Sequence, residues 1–280
     1  MYRNEAFTES LYIDVSNTDL DSLFGMAEIK KQLKQTADSI VSDELSRTLE
    51  IPASKIIMLN SSERNDALYY AHALCGDLAK RSFSTIMLTP QSFLTGGYAD
   101  FERKLTKALN EVIISSPCAV ICSDAEMFCS RGDSLEEKLR TRLFTDLLNE
   151  LSQSGAEYIF IAVTSDANKA DPDFISMLNE KIDIPTPDEE TRKAYIMEKL
   201  KCVNCTAEAA EFLAKQSDGC GFTRINKRCE QAKLSVYKHM IANANGDIAK
   251  ASQNAKRGEA VLTIELVQNS TQATNSPLRP

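Results

Sequence analysis

Residues 55–74 read KIIMLNSSERNDALYYAHAL, and their reading decides the fold. Ile56, Ile57, Met58 and Leu59 form an unbroken apolar run, as in a strand covered on both faces. The chain then turns polar for a few residues and continues as an alanine- and leucine-rich helix. Strand, polar turn and helix N-terminus in that order form the layout in which backbone amides cradle a phosphate. Yet no glycine lies between Lys55 and Cys75, and no lysine stands where one would hold the phosphates.

Four further apolar runs repeat the strand signal: Phe83–Leu88, Cys118–Cys122, Tyr158–Val163 and Lys181–Ile184. Helical spacing of apolar residues marks Glu28 to Leu45, Asp66 to Ala79, Phe101 to Ile114 and Leu135 to Leu151. The alternation predicts an α/β fold with a doubly wound, parallel, five-stranded sheet. After Pro185 the pattern becomes helical, with helices expected over Glu189–Lys201, Thr206–Gln216 and Thr223–Asn243. Asp188 with Glu189 and Glu190 makes a helix start, and Ser134 with Glu137 spells a capping box. The polar stretch NANGDIAKASQNAKRGEA reads as a mobile loop, and a short apolar run, Val261–Val267, follows it. The expected organisation is an extension over 1–17, an α/β domain over 18–187, a small helical domain over 188–269 and a flexible tail over 270–280.

Composition narrows the function classes. The chain has 280 residues, 43% hydrophobic and 26% charged, with a net charge of −8. That balance belongs to an ordinary globular protein and argues against a nucleic-acid partner, which calls for a basic face. No apolar stretch is long enough to span a bilayer, so no membrane insertion is expected, and the acidic start lacks an apolar signal core. The expected compartment is cytoplasmic or nuclear. Cys75, Cys118 and Cys122 sit inside apolar runs, as reduced buried thiols do. Cys202 and Cys205 form a lone CxxC without a second ligand pair, so no metal site is expected there.

Several segments carry a resemblance in collinear order. LFGMAEIKKQL, SSPCAVICSDAEMF, ADPDFI, IDIPTPDEETR and EFLAKQSDGCGFTRINKRCEQAKL resemble, in order and near spacing, an AAA+ module. The similarity is to the second ATPase domain of the valosin-containing protein family of segregases, and it runs over about residues 18 to 270. The resemblance implies a P-loop NTPase-like α/β domain followed by a helical lid.

The family's chemistry can be sought position by position. A P-loop reads G-x-x-x-x-G-K-[ST], with glycines for close backbone approach, lysine for charge and a hydroxyl for magnesium. Counted without gaps from Lys55, the glycine positions are Ser61 and Asp66, the lysine position Ala67 and the hydroxyl position Leu68. The metal-orienting Asp and catalytic Glu after the third strand correspond to Ser123 and Asp124, and the sensor asparagine to Ser165. Shifting the acids onto Asp124 and Glu126 leaves Ala125 between them. Met177 stands near the last arginine-finger position, and no arginine occurs between Arg142 and Arg192. Tyr98, after Gly96 and Gly97, falls on the aromatic of the pore loop.

These substitutions imply a phosphate-binding loop in shape without its chemistry. The expectation is a catalytically inactive, AAA+-like binding or scaffolding module within or beside an AAA+ ring. Its partners would be proteins, an active AAA+ ATPase or its substrates, and no cofactor is expected. Two alternatives stay open. One is a working segregase-type ATPase that uses ATP and magnesium, with Lys55 or Arg64 replacing the lost cation. The other is a monomeric interaction domain unrelated to any ring.

Overall fold

The computed structural model describes residues 7, 10–40, 48–50 and 54–268. Much of the expected N-terminal extension, the end of the Glu28–Leu45 helix and the tail therefore lie outside the described residues. The chain divides into two compact units, Met1–Pro185 and Thr186–Pro280.

In the first unit, helix α1 (Ala27–Asp38) precedes strand β1 (Ser54–Asn60) and helix α2 (Arg64–Ala79). Strand β2 (Ser84–Leu88), the short helix α3 (Pro90–Phe93) and helix α4 (Tyr98–Ile114) come next. Strand β3 (Cys118–Ser123), the turn-length helix α5 (Ala125–Phe128) and helix α6 (Leu135–Gln153) continue the alternation. Strand β4 (Tyr158–Thr164), helix α7 (Pro172–Ser176) and strand β5 (Glu180–Asp183) complete it. All four strand pairings are parallel, in the order β2-β3-β4-β1-β5. This is the parallel α/β architecture expected from the apolar runs.

The pleat sends alternate residues to opposite faces of the sheet, and each face has its own core. Ile57, Leu59, Ile121, Ile161 and Val163 pack with Leu74, Leu78 and Leu33 under α2 and α1. Ile56, Met58, Val120, Cys122 and Phe160 pack with Leu105, Leu148 and Phe144 under α4 and α6. On that second face Phe93, Phe128, Phe144 and Phe160 form a chain with ring centroids 5.8, 5.7 and 5.9 Å apart. Every residue of β3 and β4 is buried, which is why both strands read as continuous apolar runs.

Both rims of the sheet carry further contacts. Residues 11–13 run antiparallel to β2, with Ile13 N donating to Thr85 O (3.1 Å) and Met87 N to Leu11 O (2.8 Å). At the other rim, Gln32 and Thr36 of α1 donate to the Glu180 carboxylate of β5 at 2.9 and 2.8 Å. The helix expected to run to Leu45 leaves helical geometry at Asp38, where Ser39 Oγ turns back to the Thr36 carbonyl.

The second unit holds helices α8 (Glu189–Lys199), α9 (Ala207–Gln216) and α10 (Phe222–Asn243). Asp188 caps α8 by accepting from Thr191 N at 2.8 Å. Arg192 is buried and ties the unit together, donating to the carbonyls of Ala214 (3.0 Å) and Pro187 (2.8 Å) and pairing with Asp218 (3.0 Å). The polar stretch read as a mobile loop is instead structured. It carries helix α11 (Ile248–Asn254), capped by Asp247, and a π-helical turn at Ala255–Glu259. Its few apolar residues concealed the helix; only Ala251 of α11 is buried. Strands β6 (Asn204–Cys205) and β7 (Val261–Leu262) pair in parallel, and Thr206, next after Cys205, caps α9. Among the described residues no helix is long and apolar enough to cross a membrane.

Candidate functional site

Five parallel strands point their carboxyl ends to one side of the sheet, and β1 leaves that side between β4 and β5. In open α/β sheets such a crevice is where ligands bind. The turn after β1 is Ser61–Glu63, and α2 starts at Arg64. The helix therefore begins two residues ahead of the expected Asp66 and leaves a three-residue connection. That is too short to wrap a phosphate with successive amides. Ser61 is also turned inward: its N donates to Thr164 O (3.1 Å), and its Oγ accepts from Glu63 N (3.3 Å). The expected loop shape is thus not built.

The remaining candidates follow from that early helix start. Ala67, at the lysine position, is fully buried in the core beneath α2. Leu68, at the hydroxyl position, packs against the same core. Asp66 is buried in the first turn, where a carboxylate suits the helix dipole. Arg64, the first residue of the helix, reaches across to β3 and pairs with Asp124 at 3.0 Å.

On the β3 side, Ser123 is buried and donates to Leu88 O at 3.4 Å. Asp124 follows in left-handed geometry (φ 50°, ψ 50°), a region Asp tolerates better than most residues. Burial raises its pKa; Arg64 opposes that rise and the neighbouring Glu126 adds to it. Sequence reasoning set Glu126 aside because Ala125 separates it from Asp124. One helical turn carries its side chain back to the strand ends, where Oε1 accepts from Ser165 N (3.3 Å) and Ser165 Oγ (3.1 Å). Its position in a helical turn after Asp124 was the only available signal.

The structure thus brings Ser61, Arg64, Ser123, Asp124 and Ser165 to one end of the sheet. Met177 lies at the other end, and Tyr98 opens the helix that follows β2. Tyr98 is the half-buried first residue of α4, with Gly97 as its N-cap, and so belongs to a helix start instead of a free loop. Met177 lines a cavity of about 480 Å³ with Ile56 and Tyr158, at the amino ends of β1 and β4. Lys55 is also remote from the turn; its Nζ donates to Ser39 Oγ at 2.6 Å. Among the described residues no group of His, Cys, Asp or Glu is clustered to hold a metal ion.

These residues lack the glycines, the lysine and the adjacent acid pair by which a P-loop site holds a nucleoside triphosphate and magnesium. Arg64, the cation of the turn after β1, is paired with Asp124, and the other polar side chains at these strand ends are Glu126 and the hydroxyls of Ser61, Ser123 and Ser165. Two like charges about 4 Å apart repel by several kcal/mol at an effective dielectric near 20. The arrangement instead forms a polar tie across the strand ends, Arg64 to Asp124 and Glu126 to Ser165. No protein-family model matches the chain, and no curated protein matches it either. What fold and site define is a parallel α/β unit with a polar tie across its strand ends, followed by a mainly helical unit.

Proposed function

We propose that the chain is a degenerate AAA+-like module that binds or scaffolds proteins within or beside an AAA+ ring and does not hydrolyse ATP. The observation that carries the reading is the Arg64–Asp124 ion pair. It joins the only replacement cation in the loop to the residue at the catalytic acid position, so neither is left for phosphoryl transfer. The parallel order β2-β3-β4-β1-β5, compatible with a P-loop-like fold, supports the same reading. So do the short turn after β1 and the buried methyl of Ala67. In this reading the helical unit is the lid, the partner is an active AAA+ ATPase or its substrate, and the setting is cytoplasmic or nuclear.

Nucleotide titration of the purified chain, followed by thermal melting with and without magnesium, tests it. A ligand at a hundredfold excess over its dissociation constant adds about 2.7 kcal/mol of stability, which melting resolves. The expected result is no ATP-dependent shift and no phosphate release. A magnesium-dependent turnover that Asp124→Ala abolishes would establish the working-ATPase alternative instead.

A further inference from the structure

Beside the strand-end tie, and sharing only Glu126 with it, lies a cavity of about 650 Å³. Its walls come from α5, the start of α6 and the turn at 167–169. None of Ser61, Arg64, Asp66 or Ala67 lines it. The volume falls within the range of small-molecule and peptide-end pockets.

Its chemistry is divided. Leu94 and Met127 form an apolar wall, and Arg131, Arg140 and Lys169 supply positive charge. Two lining atoms of opposite character, Glu126 Oε2 and Arg140 Nε, are shielded from solvent and have no hydrogen-bond partner. Glu126 cannot readily swing to find one, because its other oxygen is held by Ser165. Arg131 spends its Nε on the Ala170 carbonyl (2.9 Å), which fixes the plane of its guanidinium. Glu137 also lines the cavity; its Oε2 accepts from the backbone N and hydroxyl of Ser134 at 3.2 and 2.6 Å, and its charge interacts with Arg140. The lining therefore offers planar donors for an anion, one carboxylate oxygen for an N–H, and an apolar surface.

We propose that this cavity binds the C-terminal residue of a polypeptide. The terminal carboxylate meets the guanidinium groups, a bidentate match that arginine makes better than lysine. The last peptide N–H donates to Glu126 Oε2, and the side chain lies on Leu94 and Met127. Met127 is half exposed and carries the apolar wall outward for preceding residues. A phosphate group fits worse, since Glu126 would face its charge. The inference is independent of how the strand-end crevice is read.

The test uses three small probes on the isotopically labelled full chain, followed by two-dimensional NMR. N-acetyl-leucine carries the carboxylate, the N–H and the apolar group; N-acetyl-leucinamide lacks the carboxylate; free leucine has an ammonium in place of the amide. N-acetyl-leucine should perturb the amides of residues 126–131 and 168–169, with an affinity on the order of millimolar. The amide should bind at least about tenfold more weakly, and Arg140→Lys should weaken N-acetyl-leucine binding by a similar factor. Arg131→Gln, at an exposed position, serves as the second variant if Arg140→Lys melts early, and the same loss is expected. Equal perturbation by the amide, or none by N-acetyl-leucine at about 20 mM, would overturn the assignment. Tighter binding of free leucine would also overturn it, in favour of a free amino-acid site.

Discussion

Breaking the Arg64–Asp124 pair should destabilise the protein more than neutralising its acid. At 3.0 Å the bare attraction is about 5–6 kcal/mol at an effective dielectric near 20. The Arg64 side chain is 42% exposed, so solvent screening reduces the net contribution to roughly 1–3 kcal/mol. The Asp124 side chain is only 13% exposed. In Arg64→Ala it stays buried beside Glu126 without its counter-charge, and the upper end of that range is expected. Asp124→Asn removes the buried charge and its repulsion with Glu126, keeps a residue that tolerates left-handed geometry, and leaves Arg64 free to reach water; its cost should be under about 1 kcal/mol. The sign with pH follows from the raised folded-state pKa of Asp124. Folded protein holds this proton more tightly than unfolded chain, so stability falls as pH rises from about 3.8 through the folded value, then levels off. Arg64→Ala should widen that window upward, and Asp124→Asn should abolish this contribution. Urea unfolding of the single and double variants at several pH values, followed by circular dichroism, reads both quantities. Strictly additive variants with unchanged pH slopes would refute the account of the pair.

Gly76 lies inside α2, where Ala would normally gain about 1 kcal/mol of helix propensity, but a Cβ there would sit 1.6 Å from the Thr18 carbonyl oxygen. Gly76→Ala should therefore cost roughly 2–3 kcal/mol in a denaturation experiment, and a stabilised variant would show that the 15–18 segment does not press on α2. Phe144→Ala should cost about 3–5 kcal/mol, because the ring touches three other aromatics of one core face, and a loss under about 1 kcal/mol would mean that face collapses freely. His72 has its pKa lowered by burial, and its Nε2 has no hydrogen-bond partner. Stability should fall as pH drops below about 6.5, and His72→Gln should flatten melting temperature against pH across that range. With the loop cation paired to Asp124 and no arginine between Arg142 and Arg192, the pure chain should be a monomer or weak oligomer. Light scattering behind size exclusion checks this, and a stable nucleotide-independent hexamer would contradict it.

The strands were legible because burial on both faces leaves no polar alternation to confuse them, as in β3 and β4. Their order was not, since a parallel run such as Lys55–Leu59 carries no mark of which strand lies beside it. The pairing of residues 11–13 with β2 escaped notice for a related reason: three residues give too little period to identify a strand. Helix α11 was hidden because one buried alanine makes no apolar stripe. At the site, the residue types at Ser61, Ala67 and Ser123 could be read directly. The helix start at Arg64 could not, because Glu63 makes no side-chain cap that would announce it. The tie from Arg64 to Asp124 joins segments far apart in the chain, and nothing local to either predicts it.

The two rims of the sheet bear on how this molecule can recognise another. An open strand edge invites an extended peptide to add itself by backbone hydrogen bonds, a mode that is tolerant of sequence. Here the β2 edge is taken by residues 11–13, and at the four-residue β5 the Glu180 carboxylate is held by Gln32 and Thr36 of α1. Strand addition to β2 itself is blocked, and what it would meet instead are two short segments, residues 11–13 and β5. Edges this short offer few backbone bonds, so recognition by the α/β unit should draw mainly on side chains, on helix surfaces and at the strand-end loops, where a single substitution can redirect it.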